Sequence, residues 1–285
     1  MIGDDRGVML PSVPASRKTT IGVFDSGVGG LTVLRALVDR IPVADYLYFG
    51  DTARLPYGSK SAATVAHYAT GAAHYLQDRG AEMLVIACNS ATALAFDEIK
   101  AASRVPVIGV VDPGASAAAA ASRQKKVVVL GTEATVTSHA YRRALEARGV
   151  AVREKACPLF VPLVEEGWVE HPVTEQVAKI YLSEAFAADS QDADVLVLGC
   201  THYPLIKPLL RRVAPAHVTI VDSAESTAQA VAEHLQIQPS GQRSQSKETP
   251  LLRFFATDSV EKFRKMGTRF LRLPVEDVIH VDLKE

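Results

Sequence analysis

The sequence predicts an α/β fold in which two similar domains with mainly parallel sheets enclose an interdomain active-site cleft. Short aliphatic runs alternate with amphipathic stretches along the 285 residues, as is typical of parallel-sheet proteins. Two of these runs end in a cysteine followed by small polar residues, at Cys88 and Cys200. The runs at 21–26 and 127–132 form a faint internal repeat, because each ends in a polar loop and precedes a cysteine-ending run.

Buried parallel strands have short aliphatic runs bounded by polar residues. This pattern predicts seven strands, at Thr20–Phe24, Tyr46–Phe49, Met83–Ala87, Val105–Val111, Val127–Leu130, Val195–Leu198 and Val218–Val221. Between them, helical spacing of apolar residues predicts helices at Leu31–Arg40, Ser61–Arg79, Ala91–Ala102, Ser138–Arg148, Thr174–Ala188 and Ser223–Leu235. The final part of the chain predicts a polar loop, a strand, a helix and a short strand, at Pro239–Pro250, Leu251–Ala256, Ser259–Met266 and Val278–Leu283.

This order of elements predicts a division of the chain into three parts. Residues 1–18 are expected to form a disordered N-terminal tail. Residues 19–112 together with 225–285 are expected to form a first α/β domain that carries Cys88. Residues 113–224 are expected to form a second α/β domain that carries Cys200. Sites in such folds lie at the carboxyl ends of the strands, which would place both cysteines in one cleft.

The composition narrows the class of protein. Apolar residues make up 48% and charged residues 22% of the chain, and the formal net charge is -1. These values are typical of a soluble globular protein and do not favour a nucleic-acid or membrane partner. No apolar run approaches the ~20 residues of a membrane-spanning helix. Three cysteines, an odd and low number, favour the reducing cytoplasm over a disulfide framework.

The two strand-end cysteines are the leading candidates for chemistry. Asn89, Ser90 and Thr201 are residue types that cap helices. A thiol at a helix N-terminus has its pKa lowered from about 8.5. Two thiols in matched contexts favour a functional role over a structural one. The third cysteine, Cys157, precedes a proline without this context and is interpreted as structural or incidental.

Two other uses of these residues remain open at this point. Cys200 and His202 could supply two zinc ligands, but a structural site needs four and the chain has no CxxC or HxxxH. No metal site is therefore predicted. A cysteine hydrolase could use Cys88 or Cys200 as the nucleophile and His202 as the base. That hypothesis requires only one cysteine and gives the second matched thiol no role.

Two loops that follow strands predict ligand contacts. The loop from Asp25 to Gly30 is rich in glycine, so its backbone amides can approach an anion. It lacks the dinucleotide spacing and the Walker lysine, which favours a carboxylate over a phosphate. The loop from Asp51 to Gly58 is unusually polar, and its proline and glycine fix a turn that carries Tyr57. Its position after the end of a strand favours contact with a ligand over a purely solvent-facing role.

These motifs together resemble the cofactor-independent glutamate racemases of the aspartate/glutamate racemase superfamily. The resemblance extends from about Thr19 to the C-terminus, and Ser90 departs from it where many members carry threonine. The matching segments are Phe24–Leu31, Asp51–Gly58, Ala87–Ala91, Gly131–Val136, Pro162–Glu165 and Leu198–Pro204.

The resemblance implies interconversion of L- and D-glutamate without pyridoxal phosphate or metal. It implies that Cys88 deprotonates D-glutamate and Cys200 deprotonates L-glutamate, and that Asp25 and His202 assist. Glu165 matches a further carboxylate near the family's site. The implied substrate contacts are Asp25, Ser26, Tyr57, Gly58, Asn89, Ser90, Thr132, Thr135, Thr201 and His202.

The resemblance also implies a cytoplasmic homodimer whose D-glutamate supplies peptidoglycan synthesis. No cofactor, nucleic acid or membrane is expected as a partner. The residues themselves leave open a racemase for aspartate or another amino acid, a cysteine hydrolase, and a noncatalytic amino-acid-binding protein.

Overall fold

A computed structural model describes residues 18–187, 190–237 and 249–283. The predicted N-terminal tail, except for Lys18, lies outside the described residues, as do positions 239–248 of the predicted polar loop and the last residue of the helix predicted to end at Ala188. Within the described part, the strands are β1 (Thr20–Asp25), β2 (Asp45–Gly50), β3 (Met83–Ile86), β4 (Val107–Gly109), β5 (Lys126–Gly131), β6 (Ala151–Ala156), β7 (Val195–Gly199), β8 (Thr219–Asp222), β9 (Leu252–Ala256) and β10 (Val278–His280).

Helices connect most of these strands, because parallel neighbours need a crossover connection. They are α1 (Leu31–Arg40), α2 (Ala62–Asp78), α3 (Asn89–Ala102), α4 (Val111–Ala121), α5 (Glu133–Thr137), α6 (Ala140–Glu146), α7 (Phe160–Glu165), α8 (Pro172–Ala185), α9 (Lys207–Val213), α10 (Ser223–His234) and α11 (Val260–Leu271).

The strands form two parallel sheets, which confirms the predicted fold class. The first sheet has the order β10-β9-β2-β1-β3-β4 and the second has the order β6-β5-β7-β8. In the first sheet β1 pairs with β3, which leads to Cys88. In the second sheet β5 pairs with β7, which leads to Cys200. The internal repeat therefore corresponds to two equivalent strand pairs, and each pair delivers a cysteine at its carboxyl end.

Three local differences from the prediction have clear physical causes. Strand β6 was not predicted, because its alternating charges resemble a solvated loop; charged side chains are common on edge strands such as this one. The run predicted as a strand to Val111 is a strand only as far as Gly109, and the chain then enters α4. The helix predicted from Ser138 begins at Ala140, because His139 adopts a left-handed conformation with φ 54° and separates α5 from α6.

One apolar core cluster contains residues of both sheets and connects them. It includes Val23 of β1, Ala228 of α10 and Leu198 of β7, all of them buried. Helix α10 follows the second sheet but packs against α1, which follows β1 of the first sheet. Each large aliphatic side chain in such a core contributes about 1.5–3 kcal/mol relative to exposure. This shared core fixes the carboxyl ends of β3 and β7 on the two sides of one site.

In the part of the chain that the structure describes, every helix is too short or too polar to cross a lipid bilayer.

Candidate active site

Cys88 lies directly after β3 and caps the N-terminus of α3. Its Sγ accepts a hydrogen bond from the backbone amide of Ala91 at 3.4 Å and donates one to Oγ of Ser26 at 3.4 Å. Burial, reinforced by the negative charge of Asp25, raises the pKa of this thiol to about 12. The prediction that the helix N-terminus would lower this pKa is therefore wrong, because desolvation of the thiolate outweighs the helix amides.

Asp25 is a buried carboxylate at the end of β1. Its Oδ2 accepts a hydrogen bond from the amide of Gly27 at 2.9 Å, whereas Oδ1 is buried and has no hydrogen-bond partner among the described residues. Burial raises the pKa of Asp25, and the charge of His202 partly opposes this rise. A buried carboxylate oxygen without a hydrogen-bond partner lowers the stability of the folded protein. Asp25 is therefore suited to hold a proton or to accept a hydrogen bond from a bound ammonium group.

Cys200, His202 and Glu165 form a chain of acid–base groups on the second sheet. Cys200 Sγ lies 4.0 Å from His202 Nδ1, and His202 Nε2 lies 3.1 Å from Glu165 Oε1. Burial lowers the pKa of His202, but hydrogen bonds to Cys200 and Glu165 outweigh it and raise that pKa to about 10. The hydrogen bond from His202 holds the pKa of Glu165 below its usual value. At neutral pH the pair is therefore an imidazolium beside a carboxylate.

Thr201 does not cap a helix as predicted. The residues after it form a short 3-10 turn, Tyr203–Ile206, and α9 begins only at Lys207. The backbone carbonyl of Thr201 instead accepts a hydrogen bond from Oγ1 of Thr32 on α1, at 2.9 Å. This bond ties the Cys200 loop to the first sheet.

A row of hydroxyl groups crosses from the first sheet to the second. Oγ of Ser90 lies 2.9 Å from Oγ1 of Thr132, which in turn lies 2.9 Å from Oγ1 of Thr135. A Cβ added to Gly58 would lie 3.4 Å from Cβ of Thr132 and 3.9 Å from Oγ of Ser90. The structure thus brings four predicted contact residues together, and the hydroxyls of Ser90, Thr132 and Thr135 are suited to bind a carboxylate.

Tyr57 and Asn89 lie beside these groups, but their polar atoms already have protein partners. The hydroxyl of Tyr57 donates to Oδ2 of Asp51 at 2.6 Å. Asn89 Oδ1 accepts from the hydroxyl of Tyr141 at 2.8 Å, and its Nδ2 donates to Oγ of Ser223 at 3.3 Å. In the structure as described, the side chains of Tyr57 and Asn89 therefore serve to fix the walls of the site.

Gly29 lies where the two halves approach each other closely. A Cβ at this position would lie 2.3 Å from Oγ1 of Thr201 and 2.5 Å from Nδ1 of His202. The glycine-rich loop after β1 therefore packs its backbone directly against the loop after β7. The sequence analysis assigned the glycines of this loop to backbone contact with an anion. It missed Thr32, Tyr141 and Ser223, because their contacts join distant segments and leave no local pattern.

The structure also bears on two hypotheses made from the sequence, the structural role of Cys157 and the alternative of a metal site. Cys157 is fully buried, and its Sγ donates to the carbonyl of Lys155 at 3.7 Å. Among residues 18–187, 190–237 and 249–283, no group of three or more His, Cys, Asp or Glu side chains is arranged to hold a metal ion.

A family match, a curated relative and two crystal structures all show similarity of this chain to amino-acid racemases. The Asp/Glu/hydantoin racemase family matches residues 21–231. A curated glutamate racemase from Koribacter versatilis is 61% identical and covers 94% of this chain and 98% of its own. The crystal structure of glutamate racemase from Thermus thermophilus with β-chloro-D-alanine has a TM-score of 0.81 at 44% identity, over 93% of this chain and 98% of that chain. The enzyme from Francisella tularensis in complex with D-glutamate has a TM-score of 0.82 at 35% identity, with the same coverage.

Proposed function

The chain belongs to the Asp/Glu/hydantoin racemase family, and we propose that it interconverts L- and D-glutamate by a two-base mechanism using Cys88 and Cys200. The observation that carries the proposal is the equivalent placement of these two thiols. Each is buried, each follows a strand of its own parallel sheet, and each has an acid–base partner, Asp25 or His202. Racemisation removes the Cα proton from one face and delivers another to the opposite face, which requires two such groups.

Substrate binding follows from the charges of the site. The unpartnered Oδ1 of Asp25 is suited to accept a hydrogen bond from the substrate's α-ammonium group. The hydroxyls of Ser90, Thr132 and Thr135 are suited to bind a carboxylate. Because the Cα proton of an amino acid is a very weak acid, donors fixed around the α-carboxylate would stabilise the charge that develops as the proton leaves.

The resting protonation states suggest how a cycle begins. The high pKa of the Cys88 thiol means that this group starts as a proton donor. The imidazolium of His202 stabilises negative charge on the sulfur of Cys200, 4.0 Å away. Cys200 would then take the proton from L-glutamate while Cys88 delivers one to form D-glutamate. In the reverse direction, the ammonium group of the bound substrate would favour the thiolate of Cys88 by electrostatic attraction.

The proposal extends to the biological setting and to the architecture. We propose that the enzyme needs neither pyridoxal phosphate nor metal, acts in the cytoplasm as a homodimer, and supplies D-glutamate for peptidoglycan. We also propose that the two sheets belong to two domains, residues 19–112 with 225–285 and residues 113–224, that close around the substrate.

An isotope experiment tests the mechanism. In D2O, a two-base enzyme converts L-glutamate into D-glutamate that carries deuterium at Cα from the first turnover, because the delivered proton comes from a thiol that exchanges with solvent. The remaining L-glutamate stays largely protiated at early times. The enantiomers are separated and analysed by mass spectrometry, and D-glutamate as substrate should give the mirror result. Early product that is substantially protiated would contradict opposed roles for Cys88 and Cys200.

A further inference from the structure

Helix α11 makes several contacts with the acid–base groups of the opposite sheet. The helix itself is anchored to the first sheet, because it packs against α1 and its Phe263 lies against Tyr48 of β2 and Phe254 of β9. One side of α11 nevertheless extends to α7 and to His202, which belong to the Cys200 half of the site. The described contacts on that side all involve the Glu165–His202 pair or the helix that carries it.

The first contact fixes the helix that presents Glu165. Nη1 of Arg269 donates to the backbone carbonyls of Val164 and Glu165, at 3.4 and 3.3 Å. These are among the last carbonyls of α7 and lie at the partially negative end of the helix, and the carbonyl of Val164 also accepts a hydrogen bond from the amide of Gly167 at 3.0 Å. The guanidinium also lies over Gly167, where a Cβ would approach Nη1 to 2.8 Å and where φ is +83°. The guanidinium of Arg269, on a helix that packs against the first sheet, thus caps the C-terminus of the helix that carries Glu165.

The second contact fixes His202 directly. The fully buried ring of Phe270 meets the imidazole of His202 edge to face, with ring centroids 5.2 Å apart and an interplanar angle of 81°. Because the imidazole bridges Cys200 and Glu165, a rotation or shift of this ring would change both distances. The exposed Lys262 adds a third contact, with its Nζ 3.6 Å from Oε2 of Glu165.

We propose that α11 positions the acid–base groups of the Cys200 half, with Arg269 holding Glu165 through α7 and Phe270 holding the imidazole of His202. The two are positioning residues that act through Glu165 and His202, and neither is assigned a contact with substrate. The inference rests on the proposed function, because it concerns proton transfer at one of the two thiols. It predicts that loss of the Arg269 or Phe270 contact impairs one face of the reaction more than the other.

Four variants in one helix test this. Arg269→Ala and Phe270→Leu remove the proposed contacts, whereas Arg264→Ala and Phe263→Leu are matched controls. Arg264 pairs only with Glu261 of its own helix among the described contacts, and Phe263 faces the aromatic residues of the first sheet. Since a displacement of about 1 Å in a catalytic group costs up to about 100-fold in rate, we expect kcat to fall about 10-fold or more in the first two variants. KM should change little, and Arg269→Lys should recover most of the rate.

The decisive measurement is the primary deuterium isotope effect on each enantiomer deuterated at Cα. Slower proton transfer at Cys200 raises the isotope effect for L-glutamate relative to that for D-glutamate. Partial loss of folded enzyme lowers both rates and leaves both isotope effects unchanged, so the ratio separates positioning from simple destabilisation. Because Arg269 is exposed on the surface, its variant keeps the test valid if Phe270→Leu does not fold.

The outcomes separate the inference from the function on which it rests. A raised isotope effect for L-glutamate in Arg269→Ala or Phe270→Leu, but in neither control, supports the inference. Equal isotope effects for both enantiomers, an increase on D-glutamate instead, or the same behaviour in all four variants overturns it while leaving the racemase intact. A wild-type protein that does not racemise glutamate refutes the proposed function and the inference with it.

Discussion

Replacing Gly29 with alanine should disable the site while leaving the fold in place. The added Cβ would lie 2.3 Å from Oγ1 of Thr201, 2.5 Å from Nδ1 and 2.6 Å from Cε1 of His202. Ordinary van der Waals contact begins at 3.4 Å, so the loop after Cys200 must move by about 1 Å. A shift of this size in a reacting group costs up to about 100-fold in rate, or about 2.7 kcal/mol of transition-state stabilisation.

The alanine variant suffers no backbone strain at position 29, because Gly29 does not have the positive φ of glycines such as Gly80 and Gly149. The stability cost is that of overpacking, about 1–3 kcal/mol. Racemisation is followed by circular dichroism from each enantiomer, and unfolding is measured by a thermal scan. Gly71→Ala is the matched control, since a Cβ there meets nothing within 4 Å.

We expect Gly71→Ala to keep full activity and to gain about 0.5–1 kcal/mol of stability, because glycine is unfavourable within a helix. If Gly29→Ala racemises glutamate at close to the wild-type rate, the two loops do not pack in the working enzyme as they do here, and the reasoning fails.

Three further predictions concern the thiols, His202 and cofactors. Cys88→Ala and Cys200→Ala should each abolish racemisation with the fold retained, whereas Cys157→Ala should keep most activity by circular dichroism; survival of either of the first two would contradict the two-base mechanism. The pKa of His202 rises from its ordinary value of 6.5 to about 10 in the folded protein, so its contribution to stability is complete below about pH 6.5 and is lost as the pH rises through about 10. The difference in unfolding free energy between wild type and His202→Asn should therefore shrink over that range in urea titrations, and a constant difference would count against the charged pair. Exhaustive chelation should leave the rate unchanged and the purified protein should lack the pyridoxal aldimine absorbance; activity restored only by added metal or pyridoxal phosphate would contradict this.

Local patterns sufficed to predict the elements that carry the site. The aliphatic runs leading to Cys88 and Cys200 are buried central strands, and a strand buried on both faces leaves little freedom in residue type. The edge strand β6 was missed for the opposite reason, since a strand exposed at one edge tolerates the charges of Arg153, Glu154 and Lys155.

The electrostatics of the site could not be predicted from local patterns. The helix start at Cys88 suggested a lowered pKa, but the degree of burial and the neighbouring Asp25 come from segments 60 or so positions away. The same applies to Thr32, which supports the loop after Cys200 through a contact separated by 169 positions along the chain. Such contacts depend on how the two sheets face each other, which no window of sequence describes.

The order of strands has a consequence for synthesis on the ribosome. The second sheet is built from one continuous stretch, from Lys126 to Asp222, whereas the first sheet needs β9, whose Leu252 pairs with Tyr46 of β2. The nascent chain can therefore complete the Cys200 sheet while β2 still has an open edge awaiting a strand from near the C-terminus. Non-local parallel pairing is slow, and an unpaired edge invites association with other chains. We expect β2 to be the point at which a newly made chain is most vulnerable to aggregation, and the arrival of β9 to end that vulnerability.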